Sequence, residues 1–221
     1  MDLKSFLRDN RTFFVLCILL FLVGSYPLVV FDKVTLLLRL NSLHHAYLDQ
    51  CFYYITYLGS TTMYVLLMAT LVVMGRDMRT LLTGLSSFVA TASIVQGLKH
   101  IMFFDQLRPI ALITTDVPLH LVAGIVPATH FSFPSGHAAT IFVAVCFIHL
   151  LVRKPASWMS VLLLLGATIV AYSRVYLCQH FYRDIYVGAL VGTWTTIFVY
   201  GALMHWKGPA WLDQTLFDLL L

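Results

Sequence analysis

Long uncharged apolar runs, broken by short polar turns, set the pattern of this chain. Residues 12–31, 51–74 and 80–98 hold no Asp, Glu, Lys or Arg. Residues 138–152, 157–172 and 185–206 repeat the pattern, and the first of these reaches spanning length if residues 134–137 begin its helix. Crossing the hydrocarbon core takes about 20 largely apolar residues. A segment in lipid must pair its backbone groups within itself, so the runs are expected to be helices. The predicted fold class is all-α, a polytopic membrane protein with six transmembrane helices. Lys4, Arg8 and Arg11 precede the first run, as in a secretory signal, but a signal's apolar region spans only about 7–15 residues. This run is longer and is expected to remain as a helix.

Basic residues set the orientation. With the N-terminus cytoplasmic, that side holds Lys4, Arg8, Arg11, Arg76, Arg79, Arg153, Lys154 and Lys207. The other side holds Lys33, Arg39, Lys99, Arg108, Arg174 and Arg183. Reserving Lys99, Arg108 and Arg174 for chemistry leaves a bias of eight to three, which predicts both termini inside. Loops 32–50, 99–133 and 173–184 then face outside. The first of them, with "KVTLLLRLNSLHHAY", has the spacing of an amphipathic interfacial helix, as does the C-terminal "WLDQTLFDLL".

Composition strengthens the membrane reading. The chain of 221 residues is 60% hydrophobic and 11% charged, against about 45–50% and about 25% in soluble domains. A net charge of +4, spread thinly, includes no basic run of the kind that grips nucleic acid. The four cysteines show no metal-type spacing. A Cys51–Cys178 disulfide stays open if both face an oxidising compartment.

Against this apolar background, "SRVYLCQHFYRD" (173–184) is out of place. Its acid, Asp184, is the only carboxylate between Val117 and Leu212. Ionisable groups at membrane depth are costly and are functional candidates by default. His180 and Asp184 are four apart, so a carboxylate can hold one ring nitrogen and leave the other nucleophilic. A helix is expected to end near Arg174 and another to begin near His180. In "FPSGHAAT" (133–140), Pro134 can open a helix whose first N–H groups, near Ser135 and Gly136, bind an anion beside His137. In "KHIMFFDQLRP" (99–109), Lys99 offers a point charge and Arg108 a planar fork for oxyanions. Each cluster alone also reads as a capped helix end, a loop leading into a helix, or a cation snorkelling at a membrane edge. Together they suit phosphoryl transfer, where catalysis is mostly positioning and charge neutralisation. Three cations facing one carboxylate favour a dianion over a divalent metal, so no metal or other cofactor is expected.

These residues resemble the type-2 phosphatidic acid phosphatase (PAP2) family of integral membrane lipid phosphatases, whose motifs are K-x6-R-P, P-S-G-H and S-R-x5-H-x3-D. The second motif matches at 134–137 and the third at Ser173, Arg174, His180 and Asp184. The first departs, since Lys99 and Arg108 enclose eight residues rather than six. The resemblance covers roughly residues 40–200 of a chain read as one domain, 1–221. It implies that His180, held by Asp184, attacks phosphorus to form a phosphohistidine. His137 would protonate the leaving oxygen and later activate water. Lys99, Arg108, Arg174, Ser135 and Gly136 would hold the phosphoryl oxygens. It further implies a bacterial enzyme of the cytoplasmic membrane with its site facing outward. The implied substrates are lipid A phosphates, undecaprenyl pyrophosphate or phosphatidylglycerophosphate. Membrane lipids are the expected partners, with no obligate protein partner and no nucleic acid. A lipid-binding or flipping protein would need the cations but not the His180–Asp184 pair. A haloperoxidase shares the motifs by resemblance, but those enzymes are soluble.

Overall fold

In the computed structural model, which describes residues 3–113, 119–152 and 155–220, the chain is all-helical. In order, its helices are α1 (Leu3–Asp9), α2 (Arg11–Val30), α3 (Lys33–Asn41), α4 (Ala46–Ile55), α5 (Thr61–Val73) and α6 (Met78–Gly97). There follow α7 (Pro109–Leu112), α8 (Gly136–Leu151), α9 (Ser157–Tyr176), α10 (Tyr182–His205) and α11 (Leu216–Leu220). Polar residues at the run boundaries act as caps. Asp32 accepts from Val34 and Thr35 N–H, Ser60 from Met63 N–H, and Asp77 from Thr80 N–H. Each satisfies helix-start donors that would otherwise stay unpaired.

Among the described residues, four helices are long and apolar enough to cross a membrane: α2, α6 with its continuation to Met102, α9 and α10. Together with the exposed apolar side chains that cover the outside of the bundle, such as Val23, Val73 and Phe198, they make this a multi-pass membrane protein. The run at 51–74 is not one straight span. It breaks after a 3₁₀ turn (Thr56–Gly59), and α4 and α5 meet at 56°. A side chain at Gly59 would press to 3.0 Å from the His137 carbonyl, so the backbone bends in against α8 there. Ser60 then restarts the helix. The helix α8, only 16 residues long, is the central element, packed against α6, α9 and α10. Phe142, Val143, Cys146 and Phe147 are almost wholly buried in it.

Both amphipathic segments contain helix: α3 packs on the bundle, whereas α11 buries none of its residues and leaves Phe217, Leu219 and Leu220 exposed. α3 buries Leu36 and Leu37 and leans on α9 and α10. The tail is tied to the start of α6: Arg79 pairs with Asp213 at 2.8 Å and donates to the Leu203 and Trp206 carbonyls. All four cysteines are free; Cys178 Sγ accepts instead from Asn41 Nδ2 at 3.2 Å.

Candidate active site

The site forms where α9 hands over to α10. α9 stops at Tyr176, and Cys178 at φ +53° reverses the chain. Gln179 and His180 both donate their N–H to the Arg174 carbonyl. Helix α10 starts at Tyr182 with Phe181 as cap. Asp184, in the first turn, accepts the Phe181 N–H at 3.0 Å with Oδ2. The same oxygen lies 3.4 Å from His180 Nδ1. His180 and Asp184 therefore meet through a helix cap rather than along a helix face, because His180 sits in the turn before α10. A third donor to Oδ2 is the Ser132 hydroxyl, fully buried beside it. His180 is 2% exposed and Asp184 0%. Burial pushes the His180 imidazole below its ordinary value, against the pull of Asp184.

Pro134 does not open α8. It follows a cis peptide bond after Phe133, and the helix starts two residues later at Gly136. Ser135 is the cap: its Oγ accepts from Ala138 N–H at 3.4 Å, and its own N–H donates to the Asp184 carbonyl at 2.9 Å. Ser135 is not among the residues that line the cavity. Gly136 and His137 do line the cavity.

Three cations converge on the same space. Lys99, in a widened turn (Leu98–Met102) that continues α6, donates to the Phe131 carbonyl at 3.2 Å. Arg108 donates through Nε to the His130 carbonyl at 3.0 Å, and through Nη1 to Gln179. Arg174 Nη1 donates to Thr56 Oγ1 at 2.7 Å, and its Nε has no partner among the described residues. Lys99 and Arg108 share the cavity despite their longer spacing, because the widened turn and a tight turn at Phe103–Gln106 fold the extra residues back. Lys99, Arg108, Arg174, Gly136, His137 and His180 line one cavity of about 260 Å3. Asp184 stands behind His180, outside the wall. Ser173, though part of the third motif, is turned away, and its hydroxyl donates to the Val170 carbonyl. Among the described residues, no three His, Cys, Asp or Glu side chains gather as a metal-holding group.

Sequence reasoning missed Ser132, Thr56, Gln106 and Gln179. Ser132 N–H donates to the Gln106 carbonyl and Arg108 N–H to the Thr129 carbonyl, so the two loops before Pro109 and Pro134 pair with each other. Residues far apart in sequence make these contacts, and short polar side chains in loops carry no distinguishing pattern.

Comparison with known proteins places the arrangement. A model of the PAP2 superfamily matches residues 79–207. An undecaprenyl-diphosphatase from Sulfolobus acidocaldarius is 30% identical over 182 residues, covering 82% of this chain and 83% of that protein. A lipid A 4'-phosphatase from Bacteroides thetaiotaomicron is 40% identical over 62 residues, 28% of this chain and 27% of that one. The crystal structure of Aquifex aeolicus LpxE superposes with a TM-score of 0.66 at 27% identity, covering 78% of this chain and 97% of that one. A transmembrane PAP2-type phosphatidylglycerolphosphate phosphatase from Bacillus subtilis shares the fold, with a TM-score of 0.65 at 20% identity, covering 88% of this chain and 98% of that one.

Proposed function

The chain belongs to the PAP2 superfamily and is a lipid phosphatase by that membership; from it we propose a reaction through a phosphohistidine on His180 at the outer face of a bacterial cytoplasmic membrane. The observation that carries this reading is the buried His180, with Nδ1 against Asp184, on the wall of a cavity that also holds Lys99, Arg108 and Arg174. With Nδ1–H directed at the carboxylate, Nε2 keeps its lone pair. It attacks phosphorus, and the bond from phosphorus to the lipid oxygen breaks. His137 gives its proton to that oxygen. In the second half, water loses a proton to His137 and attacks phosphorus, the P–N bond breaks, and phosphate leaves. Lys99, Arg108, Arg174 and the Gly136 N–H hold the phosphoryl oxygens, with Ser135 fixing the helix start that presents them. The substrate is a phosphate or diphosphate carried by a membrane lipid, such as lipid A, undecaprenyl diphosphate or phosphatidylglycerophosphate. Phosphate release by the purified protein from these lipids tests the reading. Absence of release from all of them, with tight binding retained, would instead favour a binding or flipping protein.

Charge neutralisation by side chains needs no divalent ion. Full activity in excess EDTA is therefore the expected outcome. Loss in EDTA with recovery on adding Mg²⁺ would overturn the assignment of the three cations.

The chain is proposed to be one domain with both termini inside and six crossings, counting the bent α4–α5 pair and the short α8. Supporting this, Arg79 and Lys207 stand at the end of the bundle opposite the catalytic cavity. Arg153 and Lys154, which also count toward the bias, lie outside the described residues. A cysteine replacing Val126, which is 90% exposed, should react with an impermeant maleimide on intact cells. One replacing exposed Lys207 should react only after permeabilisation, and the reverse pattern would invert the topology.

A further inference from the structure

The catalytic cavity continues inward past its cations, and its deeper wall is polar without being charged. α6 turns Phe88, Thr91, Ala92, Val95 and Gln96 to it, below Lys99. Along the helix axis Thr91 stands about 12 Å below Lys99, at ~1.5 Å per residue. From α8, Thr140 faces the same space, one turn below Gly136. Thr91 is 2% exposed and its Oγ1 has no partner among the described residues. That sets it apart from its neighbours on α6. Thr83 and Ser87 each donate to the carbonyl four residues back, at 2.7 Å, which is the usual refuge of a hydroxyl in an apolar helix. An unpaired hydroxyl at membrane depth is costly, so its partner is expected to arrive with the substrate.

The distribution of charge narrows what that partner is. Lys99, Arg108 and Arg174 all surround His180 in the outer tier. No Lys, Arg or His from the described residues lines the tier of Gln96, Thr140 and Thr91. His137 stands on α8 about one turn from Thr140, and both line the cavity, so on the phosphatase reading the lipid carried by a leaving oxygen beside His137 would lie near Thr140. If the substrate were a diphosphate, the departing group would bring a second phosphate into that tier with no cation to neutralise it. A neutral linker with ester, amide or hydroxyl oxygens would instead be met by one amide and two hydroxyls.

On the phosphatase reading above, we propose that Gln96, Thr140 and Thr91 form a neutral hydrogen-bonding subsite for the oxygen-bearing linker of an acylated lipid monophosphate. These three side chains then set specificity, favouring acylated monophosphates over polyprenyl diphosphates.

The test compares kcat/KM for phosphatidic acid and undecaprenyl diphosphate in the same detergent micelles. Wild-type protein is expected to favour phosphatidic acid. Thr91→Val keeps the shape and removes the hydroxyl. It should lower the ratio of phosphatidic acid to undecaprenyl diphosphate turnover by about two- to tenfold, the worth of one neutral hydrogen bond. Thr140→Val should lower it in the same direction, and Thr91→Ser should restore most of the wild-type ratio. A wild-type preference for the diphosphate, or equal losses on both lipids in the valine variants, overturns the subsite. Release of phosphate from neither lipid by wild-type protein overturns the phosphatase reading itself, and the subsite with it.

Discussion

His180→Ala is expected to release no phosphate from any substrate, and to form no phosphoenzyme. Among the described residues, the ring is the only group lining the cavity with a carboxylate fixed behind it, which is the arrangement the proposed nucleophile needs. Asp184 Oδ2 is itself held by the Phe181 N–H and the Ser132 hydroxyl, so the imidazole has one well-defined partner. No neighbouring side chain can replace it. Arg108 and Arg174 are cations, and His137 lies on another helix with no carboxylate from the described residues paired to it. Asp184→Asn should give a weaker version of the same defect, because the ring keeps its place while its tautomer is no longer enforced.

His137→Ala separates the two histidines. A general acid contributes about 10²–10⁴-fold when the leaving group needs a proton. The variant should therefore be slow on alkyl phosphates and recover part of its rate on p-nitrophenyl phosphate, whose phenolate leaves without help. It should also accumulate phosphoenzyme, since the base for the water step is gone. Quench-flow with ³²P-labelled substrate reads both steps. Turnover by His180→Ala together with complete loss in His137→Ala on both substrate types would exchange the two roles.

The helical runs were legible because uncharged apolar length in lipid permits little except a helix. The chemistry was legible because His, Arg, Lys and Asp stand out where everything else is apolar. Geometry between distant residues was not. Apolarity across 51–74 says nothing of the break at Ser60, which depends on the close approach of Gly59 to the His137 carbonyl. The pairing of His180 with Asp184 was anticipated from helix periodicity but arises from the cap of α10, since the four-residue spacing fits both arrangements. Pro134 looked like a first-turn residue, yet the N–H that caps the site's geometry is that of Ser135, reaching to the Asp184 carbonyl. The role of Ser132 was invisible, because its partner is 52 residues away.

Gly188→Ala should cost about 10²-fold in kcat, although Gly188 touches no substrate. The first turns of α10 and α8 lie so close that a Cβ on Gly188 would sit 2.4 Å from the Ser135 carbonyl oxygen, with Ala139 N at 3.3 Å. The obstruction is backbone, which cannot swing aside as a flexible side chain can. The helices must therefore separate at that level. One turn above, the Ser135 N–H donates to the Asp184 carbonyl, and this bond ties the helix bearing His137 to the turn bearing His180. Separation there moves acid and nucleophile apart, and a displacement of about 1 Å in a reacting geometry can cost about 10²-fold. Gly192, a turn deeper, would meet the Ala139 carbonyl at 2.3 Å; its alanine variant should show the larger loss of thermal stability because α8 is packed on several sides there. Gly201, on the same helix, has open space around its Cβ position, so Gly201→Ala controls for helix propensity and should keep wild-type activity. Size-exclusion elution and thermal melting of each purified variant distinguish misalignment from misfolding. A folded Gly188→Ala that turns over at the wild-type rate would mean that the close approach of α8 and α10 does not set the spacing of the two histidines.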